Sequence, residues 1–232
     1  MARGRVIAIE GIDGAGKRTQ LGLLAEVLRS QRVAVCQVSF PRYDSFFGQL
    51  VARFLNGEFG SLDQVDPHFS ALLYAGDRLE ARQALEHSLA SGQTILLDRY
   101  IASNLAHQSA RVPPARRSEF LTWLKHLEYT IYGLPAEDLV IYLRVPAAEA
   151  QRLVGLKAAR EYTRQKRDLL EADLKHLKQA AEVYDQLARE PNWATIECWD
   201  ASRMAMRSPE AIHVNVLAAV KREKERVTGG RP

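Results

Sequence analysis

The sequence predicts an α/β protein in which a five-stranded, doubly wound parallel sheet carries helices on both faces. Short apolar segments alternate along the chain with longer segments of helical periodicity, a pattern typical of parallel sheets. A glycine-rich loop joins the first apolar segment to the first helical one. Ligands of such sheets bind beyond the carboxyl ends of the strands, so we expect the chemistry there. The 232 residues suit one domain, covering 1–232.

The five strands are predicted from short runs of apolar and β-branched residues that end at turn-forming residues. They cover residues 6–10, 33–38, 94–97, 139–143 and 194–198. The helices are predicted from apolar residues spaced three or four positions apart. They cover residues 17–29, 46–56, 67–90, 114–132, a stretch from 146, 168–188 and a last helix from 209. The face of the 114–132 helix that we expect to be buried carries Phe120, Leu124, Leu127 and Ile131.

Composition and charge argue against nucleic-acid and membrane partners. The formal net charge is +4, but the basic clusters lack the interleaved aromatic residues of a nucleic-acid reader. No apolar stretch approaches the roughly 20 residues that a membrane helix needs. The two cysteines, Cys36 and Cys198, are too few for a disulfide framework, which indicates a reducing compartment. We therefore expect a soluble, cytoplasmic protein.

The first strand runs into a loop, residues 11–17, with the spacing G-x-x-x-x-G-K. Glycines let the backbone turn several N–H groups toward one anion, and the following helix adds the positive end of its dipole. Lys17 supplies a mobile charge for the β- and γ-phosphates of ATP. The residues expected to bind ATP are Gly11, Gly14, Ala15, Gly16, Lys17, Arg18 and Thr19. The alternative is a glycine-rich turn with a solvated lysine, which the strand-loop-helix context disfavours.

The loop departs from this motif directly after the lysine. The motif carries Ser or Thr there as a Mg²⁺ ligand, whereas this chain has Arg18, and Thr19 follows one place late. Arginine has only hydrogen-bond donors and cannot bind a metal. Three possibilities stay open: other groups hold Mg²⁺, Arg18 has a different task, or the activity is lost. Asp13 in the loop and Asp98 at a strand end are the carboxylates expected to hold the metal.

A second polar site follows the third strand, where Asp98 and Arg99 end the apolar run 94–97. A carboxylate at this position belongs with the metal ion in P-loop enzymes. The alternative is that Asp98 caps the following helix and pairs with Arg99. Beside a phosphate loop, the functional interpretation is favoured.

Four sequence blocks together resemble the thymidylate kinase family. They are the run 10–20 around the phosphate loop, Phe40-Pro41-Arg42-Tyr43, Asp77-Arg78, and the run 98–104 with the letters DRYIASN. Their order and spacing cover about residues 6–110, and a weaker match continues through 160–188. The resemblance implies a P-loop kinase fold with a short lid, usually as a homodimer. It also implies transfer of the γ-phosphoryl group of ATP to dTMP with Mg²⁺.

The resemblance places the phosphate and sugar of dTMP at the ends of the first three strands. Asp13 corresponds to the family's acidic residue near the acceptor phosphate and the metal, and Arg99 to the arginine that grips this phosphate. The pair Phe40-Pro41 resembles the start of the acceptor pocket, which Arg42 would line. Tyr43 would lie close to the phosphate and sugar. For Phe40, a place in the core at the end of a strand is the alternative.

The same resemblance implies that residues of two helices contact the base of the acceptor. Tyr74 corresponds to an aromatic ring on the thymine face, and Arg78 to an arginine that hydrogen-bonds the base. Asn104 and Gln108 match polar residues that face the nucleotide and the base. Alternatives are a core position for Tyr74 and a surface ion pair of Arg78 with its acidic neighbour. His107 stands where the family often has tyrosine, and we interpret it as structural.

The lid is expected at about residues 155–168, a segment dense in positive charge. A closing segment that brings arginine onto transferring phosphates stabilises the charge of the transition state. Gly14 stands where one class of the family has arginine, so the class with its arginine in the lid fits, with Arg164 and Arg167 as candidates. Glu171 follows the lid in a D-x-x-E pair and is expected to help bind substrate. The alternative is a solvated helix face.

The implied reaction needs no covalent enzyme intermediate, so catalysis is alignment plus charge neutralisation. The residues expected to carry it are Lys17, Asp13, Arg99, Arg164 and Arg167. Two other functions stay open. One is a kinase for another (deoxy)nucleotide or for a deoxynucleoside, which would need a carboxylate base such as Glu10. The other is a catalytically inactive P-loop nucleotide binder, which the arginine after the lysine would support.

Overall fold

A computed structural model describes residues 3–154, residue 170 and residues 173–229 of the chain. The predicted α/β fold is confirmed, with five strands that pair in one fully parallel sheet in the order β2-β3-β1-β4-β5. The strands are β1 Arg5–Glu10, β2 Val35–Ser39, β3 Thr94–Asp98, β4 Leu139–Arg144 and β5 Trp193–Glu197. Because β1 is central, the loop that follows it lies between the carboxyl ends of β3 and β4.

Helices connect the strands and cover the sheet. They are α1 Lys17–Ser30, α2 Phe46–Leu55, α3 Pro67–Ala90, α4 Ile101–Ser109, α5 Arg117–Lys125, α6 Ala147–Val154, α7 Leu174–Leu187 and α8 Pro209–Gly229. The start of α3 follows the prediction from the Asp-Pro pair, since Asp66 caps it by accepting from the backbone N–H of His68 at 2.6 Å. The structure also contains α4 and a small antiparallel hairpin, β6 Trp199–Asp200 with β7 Ala205–Met206, which are not among the predicted elements.

The predicted helix 168–188 is not continuous, because Leu170 is helical but Asp173 interrupts the helix. Asp173 has an extended backbone, and its carboxylate accepts from the N–H groups of Lys175 and His176, so α7 begins only after it. An aspartate at this place satisfies backbone donors that the first helical turn leaves without partners. Residues 168, 169, 171 and 172 lie outside the described residues.

The helical stretch predicted at 114–132 consists of three different turns. A 3₁₀ turn, Pro114–Arg116, precedes α5, and a π-helical turn, His126–Ile131, follows it. The wider π turn rotates the side chains that come after it relative to the α-helical face. Phe120 and Leu124 are buried as predicted, but Ile131 is 62% exposed, and Glu128 is fully buried in the same turn. The prediction of Ile131 as a core residue is therefore wrong.

Two apolar clusters stabilise the fold. The larger one surrounds the sheet, and the smaller one fills the space between α2 and α3 with Val51, Phe54, Leu55, Val65, Leu73 and Leu170. Helices α2 and α3 approach closely at Gly76, because a Cβ there would meet the ring of Phe47 at 2.4 Å. Within the described part of the chain, no helix is long and apolar enough to cross a membrane.

Candidate functional site

The loop after β1 is held in shape by its glycines. Gly11 and Gly14 have φ values of 139° and 92°, which side-chain-bearing residues rarely adopt. A Cβ on Gly11 would lie 2.6 Å from the carbonyl oxygen of Leu143, and one on Gly14 would lie 2.4 Å from that of Ala150. The backbone of the loop thus packs directly against the backbones of β4 and α6. No larger residue fits these two positions without moving its neighbours.

Lys17 turns back over this loop. Its ammonium group donates to the carbonyl oxygens of Gly11 at 2.9 Å and Ile12 at 3.0 Å, and the side chain is buried. Burial, followed by the nearby charge of Arg99, lowers the pKa of Lys17 to about 8. The lysine is thus held at the loop by weak neutral acceptors. A phosphate would be a stronger partner for the ammonium group.

Arg99 and Asp13 meet in front of the loop. The guanidinium of Arg99 donates to the carboxylate of Asp13 at 2.7 Å, and the ammonium of Lys17 lies 3.9 Å from the same oxygen. Burial alone would raise the pKa of Asp13, but the charges of Arg99 and Lys17 outweigh it and hold that pKa well below its usual range. These three side chains therefore comprise two cations and one carboxylate at neutral pH.

The backbone of Arg99 is strained where it leaves the strand. Its φ of 66° lies in the left-handed region, which costs non-glycine residues of order 1–3 kcal/mol. Its N–H donates to the carbonyl oxygen of Ile9 at 3.1 Å, which ties the end of β3 to β1. The guanidinium also donates to the hydroxyl of Ser103 at 2.9 Å. These contacts direct the side chain across the sheet edge toward Asp13.

Glu10 caps the helix that follows Arg99. Its buried carboxylate accepts from the backbone N–H groups of Tyr100 at 2.7 Å and Ser103 at 3.2 Å, and from two hydroxyls. These hydroxyls belong to Ser103 and Tyr184. Glu10, and not Asp98 as the alternative interpretation of the sequence predicted, therefore caps α4. Its engagement with four donors disfavours Glu10 as the base of a deoxynucleoside kinase.

Asp98 is suited to hold a cation. It sits at the end of β3, between Ile9 of β1 and Ser39 of β2 in the register of the sheet. Its Oδ1 atom is buried, and no described residue gives it a hydrogen bond. A buried carboxylate oxygen without a donor fits a hard cation such as Mg²⁺. The described residues contain no group of three His, Cys, Asp or Glu side chains that could bind a metal by themselves.

The segment after β2 is fastened to α3 by Asp77. The buried carboxylate of Asp77 accepts from the backbone N–H of Arg42 at 2.8 Å, from its Nε at 3.0 Å and from the hydroxyl of Ser45 at 2.7 Å. The interpretation of Asp77 and Arg78 as a surface pair is wrong, because both are buried and they bind different partners. Phe40 is buried as well, with its ring 5.8 Å from that of Tyr100.

Arg78 forms a buried ion pair with Glu128. Its Nε and Nη2 atoms donate to the two carboxylate oxygens at 2.5 and 2.7 Å, and both side chains are at most 2% exposed. Asn104 donates to the same carboxylate at 2.8 Å. Tyr74 lies one helical turn before Arg78, half-buried, with its ring edge-on to Phe54 at 6.4 Å. The structure thus brings two of the four predicted base-contact residues, Arg78 of α3 and Asn104 of α4, together on one carboxylate.

Two histidines that the sequence analysis did not place in the site lie behind Arg99. The rings of His107 and His176 are buried, with Nδ1 of the first 3.2 Å from Nε2 of the second. Nε2 of His107 is 3.4 Å from the guanidinium of Arg99. Burial and the charge of Arg99 hold the pKa of His107 well below its usual range, and burial lowers that of His176 to about 4. A histidine in place of the family's tyrosine was the only sequence signal for this pair.

The remaining predicted site residues divide into three groups. Gly11, Ala15 and Lys17 of the loop are buried, Gly14 and Gly16 are half-buried, and Arg18 and Thr19 are exposed on the first turn of α1. Pro41, Arg42 and Tyr43 are half-buried, and Gln108 is buried. The expected lid 155–168, with Arg164 and Arg167, lies outside the described residues, as does Glu171.

A phosphate loop between strand and helix, a buried lysine and an Asp-Arg strand end on a parallel sheet define the chain as a P-loop kinase. The family model of thymidylate kinase matches residues 9–207. The chain therefore belongs to the thymidylate kinase family.

Individual relatives are similar over most of their length. The thymidylate kinase of Mycobacterium tuberculosis is 34% identical over 184 residues, which cover 79% of this chain and 85% of that one. A probable thymidylate kinase of Thermococcus onnurineus is 34% identical, with 94% and 97% covered. The solved thymidylate kinase of Candida albicans has a TM-score of 0.74 at 20% identity, covers 97% of this chain and 94% of its own, and so supports the fold.

Proposed function

We propose that this chain works as a thymidylate kinase at the edge of the sheet where β1 and β3 end. It transfers the γ-phosphoryl group of ATP to dTMP, giving ADP and dTDP. The observation that carries this assignment is the contact of Arg99 with Asp13 at 2.7 Å, beside the ammonium of Lys17 at 3.9 Å. This arrangement joins a donor loop and an acceptor arginine at one point of the sheet.

ATP binds at the loop Gly11–Lys17 and the first turn of α1. The phosphates accept from the loop N–H groups and from Lys17, which exchanges two carbonyl partners for an anion. Arg18 and Thr19 are exposed on the outer side of this turn, where they can meet the donor phosphates. Arg18 then supplies positive charge at the place where the general motif has a hydroxyl.

The phosphate of dTMP binds between Arg99 and the segment that Arg42 and Tyr43 form. Arg99 approaches from β3, and Asp77 holds the backbone of this segment against α3. The base extends toward Tyr74, Arg78, Asn104 and Gln108, which lie on the neighbouring helices α3 and α4. Tyr74 supplies a ring face for the thymine.

In the transfer step, an oxygen of the dTMP phosphate attacks the γ-phosphorus of ATP. The new P–O bond forms while the bond to the bridging oxygen of the β-phosphate breaks, and ADP leaves with that electron pair. Lys17 and the loop N–H groups stabilise the charge that spreads over the transferred group, and Arg99 holds the nucleophile in line. Arg164 and Arg167 are proposed to add charge from the lid.

Mg²⁺ fits the carboxylates at this edge. Asp98, with its unpartnered oxygen, and Asp13 would hold it directly or through water. When bound, the ion neutralises the phosphate oxygens of ATP. Asp13 also offsets the repulsion between Arg99 and Lys17, so that both can stay charged beside the phosphates.

The chain is further proposed to act as a cytoplasmic homodimer without nucleic-acid partners. Three large apolar side chains are exposed on α3, namely Phe69, Leu72 and Leu79, at 44%, 38% and 38%. They recur at spacings of three and seven residues and so share one side of the helix. An apolar stripe of this kind supports a contact with a second copy of the chain.

A coupled assay with ATP, Mg²⁺ and dTMP tests the function. We expect turnover with dTMP to exceed that with dUMP and dCMP, and thymidine to be inactive. The thymine methyl adds about 1–3 kcal/mol in an apolar pocket, so discrimination against dUMP should be moderate. Better turnover of dCMP or thymidine would refute the substrate assignment. ATP binding without transfer to any monophosphate would favour an inactive binder, the alternative that Arg18 raises.

A further inference from the structure

Glu128 is a buried carboxylate that contacts two proposed base-binding residues. It belongs to the π-helical turn His126–Ile131 and is completely shielded from solvent. Its Oε2 atom accepts from Nε of Arg78 at 2.5 Å. Its Oε1 atom accepts both from Nη2 of Arg78 at 2.7 Å and from Nδ2 of Asn104 at 2.8 Å. One carboxylate therefore orients a guanidinium on α3 and an amide on α4.

These bonds determine which way the amide of Asn104 points. Its Nδ2 group has two acceptors, Glu128 and the carbonyl oxygen of Ala71 at 3.0 Å. Turning the amide over would put its oxygen against two other oxygens, one of them charged, and would lose both hydrogen bonds. The Oδ1 atom is consequently held on the other side. It is buried, and no donor reaches it from the residues that the structure describes.

Gln108 lies one turn further along α4, and its amide is turned the other way, with its oxygen paired and its nitrogen left without a described partner. Its Oε1 atom accepts from the hydroxyl of Ser70 and from Nη1 of Arg111, each at 2.8 Å. Its Nε2 group is buried and has no acceptor in the described part of the chain. Since residues four apart share a helical face, α4 carries a buried acceptor and, one turn away, a buried donor, neither with a partner among the described residues. Unpaired buried groups of this kind call for a partner, because leaving them unpaired is costly.

We propose that Glu128 is a specificity-determining positioning residue, which turns the Asn104 amide oxygen so that the site accepts bases with a ring N–H group. The inference rests on the function proposed above, and it deepens that function by naming a residue that sets the choice among pyrimidine bases without touching them. Thymine and uracil carry hydrogen on ring nitrogen N3, which the Asn104 oxygen can accept. Their neighbouring carbonyl oxygen can accept from Gln108.

Cytosine has the opposite pattern at these positions. Its N3 atom has a lone pair and no hydrogen, so it would face the Asn104 oxygen as a second acceptor. Its exocyclic amino group would face the Gln108 amide as a second donor. A site built to hydrogen-bond one pattern rejects the reversed pattern strongly, because its buried groups are then left unpaired. Glu128 touches no substrate atom in this scheme and acts through Asn104 and Arg78.

The test compares Glu128→Gln with the wild type using dTMP, dUMP and dCMP as acceptors. A glutamine amide offers a donor as well as an acceptor, so residue 128 no longer opposes the reversed amide, and only the carbonyl oxygen of Ala71 still favours Nδ2 at this place. We expect the ratio of kcat/KM for dTMP over dCMP to fall at least about tenfold. The ratio for dTMP over dUMP should stay within about twofold, since both bases carry N3–H and differ only by a methyl group.

Glu137→Gln is the matched control. Glu137 is also buried and bonds the hydroxyl of Tyr129 at 2.7 Å, but Arg78 and Asn104 are not among its hydrogen-bond partners. Both ratios should stay at the wild-type values in this variant. If Glu128→Gln does not fold, Glu128→Asp is measured in its place: its side chain is one methylene shorter, so it keeps a charge beside Arg78 but withdraws from Asn104, and the ratio for dTMP over dCMP should again fall. An equal loss with all three nucleotides in the folded variant would overturn the proposal and leave Glu128 a structural residue. A wild-type enzyme inactive on dTMP would instead refute the proposed function.

Discussion

Arg99 reaches Asp13 across the edge of the sheet, at 2.7 Å, although 86 residues separate them. The pairing of β1 with β3 places Ile9 opposite Asp98, so the loop after one strand meets the first residue after the other. The pair thereby links the loop proposed to bind the donor phosphates with the arginine proposed to hold the acceptor phosphate. The contact therefore ties the loop after β1 to the end of β3 in the folded chain.

Removal of the Arg99 side chain should weaken dTMP binding much more than ATP binding. A hydrogen bond to a charged group contributes about 1.5–3 kcal/mol, so Arg99→Ala should lower dTMP affinity roughly 10- to 150-fold. ATP affinity should change by less than about threefold, because Lys17 and the loop amides remain. Calorimetric titration of each nucleotide measures both effects. Equal losses for the two nucleotides would contradict an acceptor role for Arg99.

Replacing Arg18 with the serine of the general motif should not raise turnover. If Arg18 contributes charge and the carboxylates hold Mg²⁺, then Arg18→Ser will not raise turnover and Asp13→Asn will lower it about 100-fold. Turnover of both variants across a Mg²⁺ titration provides the measurement, with Arg203→Ser on the exposed hairpin as a matched surface control. A faster Arg18→Ser enzyme at saturating Mg²⁺ would show that the arginine disables metal binding.

The affinity for ATP should depend on pH through Lys17. Burial lowers the pKa of this lysine to about 8 in the free protein, so the group is charged below this pH and becomes neutral above it. Phosphate binding favours the charged form, so ATP affinity should be constant below pH 8 and fall about tenfold per pH unit well above it. Binding isotherms between pH 7 and 9.5 measure the slope. Lys17→Arg, which stays charged, should lack this slope, and an identical slope in that variant would assign it to another group.

Glu10 should matter for stability, although it precedes the phosphate loop. Its carboxylate accepts four hydrogen bonds and caps α4, so Glu10→Gln should reduce the free energy of unfolding by about 1–3 kcal/mol. The exposed Glu86, paired only at the surface with Arg82, is the control, and its Gln variant should change stability by less than about 1 kcal/mol. Urea denaturation compares them. An unchanged midpoint for Glu10→Gln would mean that the cap is dispensable.

Local sequence patterns predicted most of the elements because they report on single helices and strands. All five strands lie where apolar, β-branched runs predict them, and β2 merely begins two residues later than predicted. Strand-end polar residues predicted Asp13, Asp98 and Arg99, since parallel strands bring their carboxyl ends to one edge. The predicted buried face of the helix 114–132 is wrong at Ile131, because the prediction assumes a constant number of residues per turn and the π-helical turn changes that number.

The sequence by itself determined the sheet, the phosphate loop and the family, because spacing, glycine content and strand-end charges are local properties. Tertiary structure alone decided which carboxylate caps α4, which partner holds Arg78, and how the Asn104 amide is turned. Each of these depends on side chains far apart in the chain, such as Glu10 with Ser103 or Glu128 with Arg78. Buried polar groups must find partners wherever packing places them, and no periodic pattern in the sequence encodes that choice.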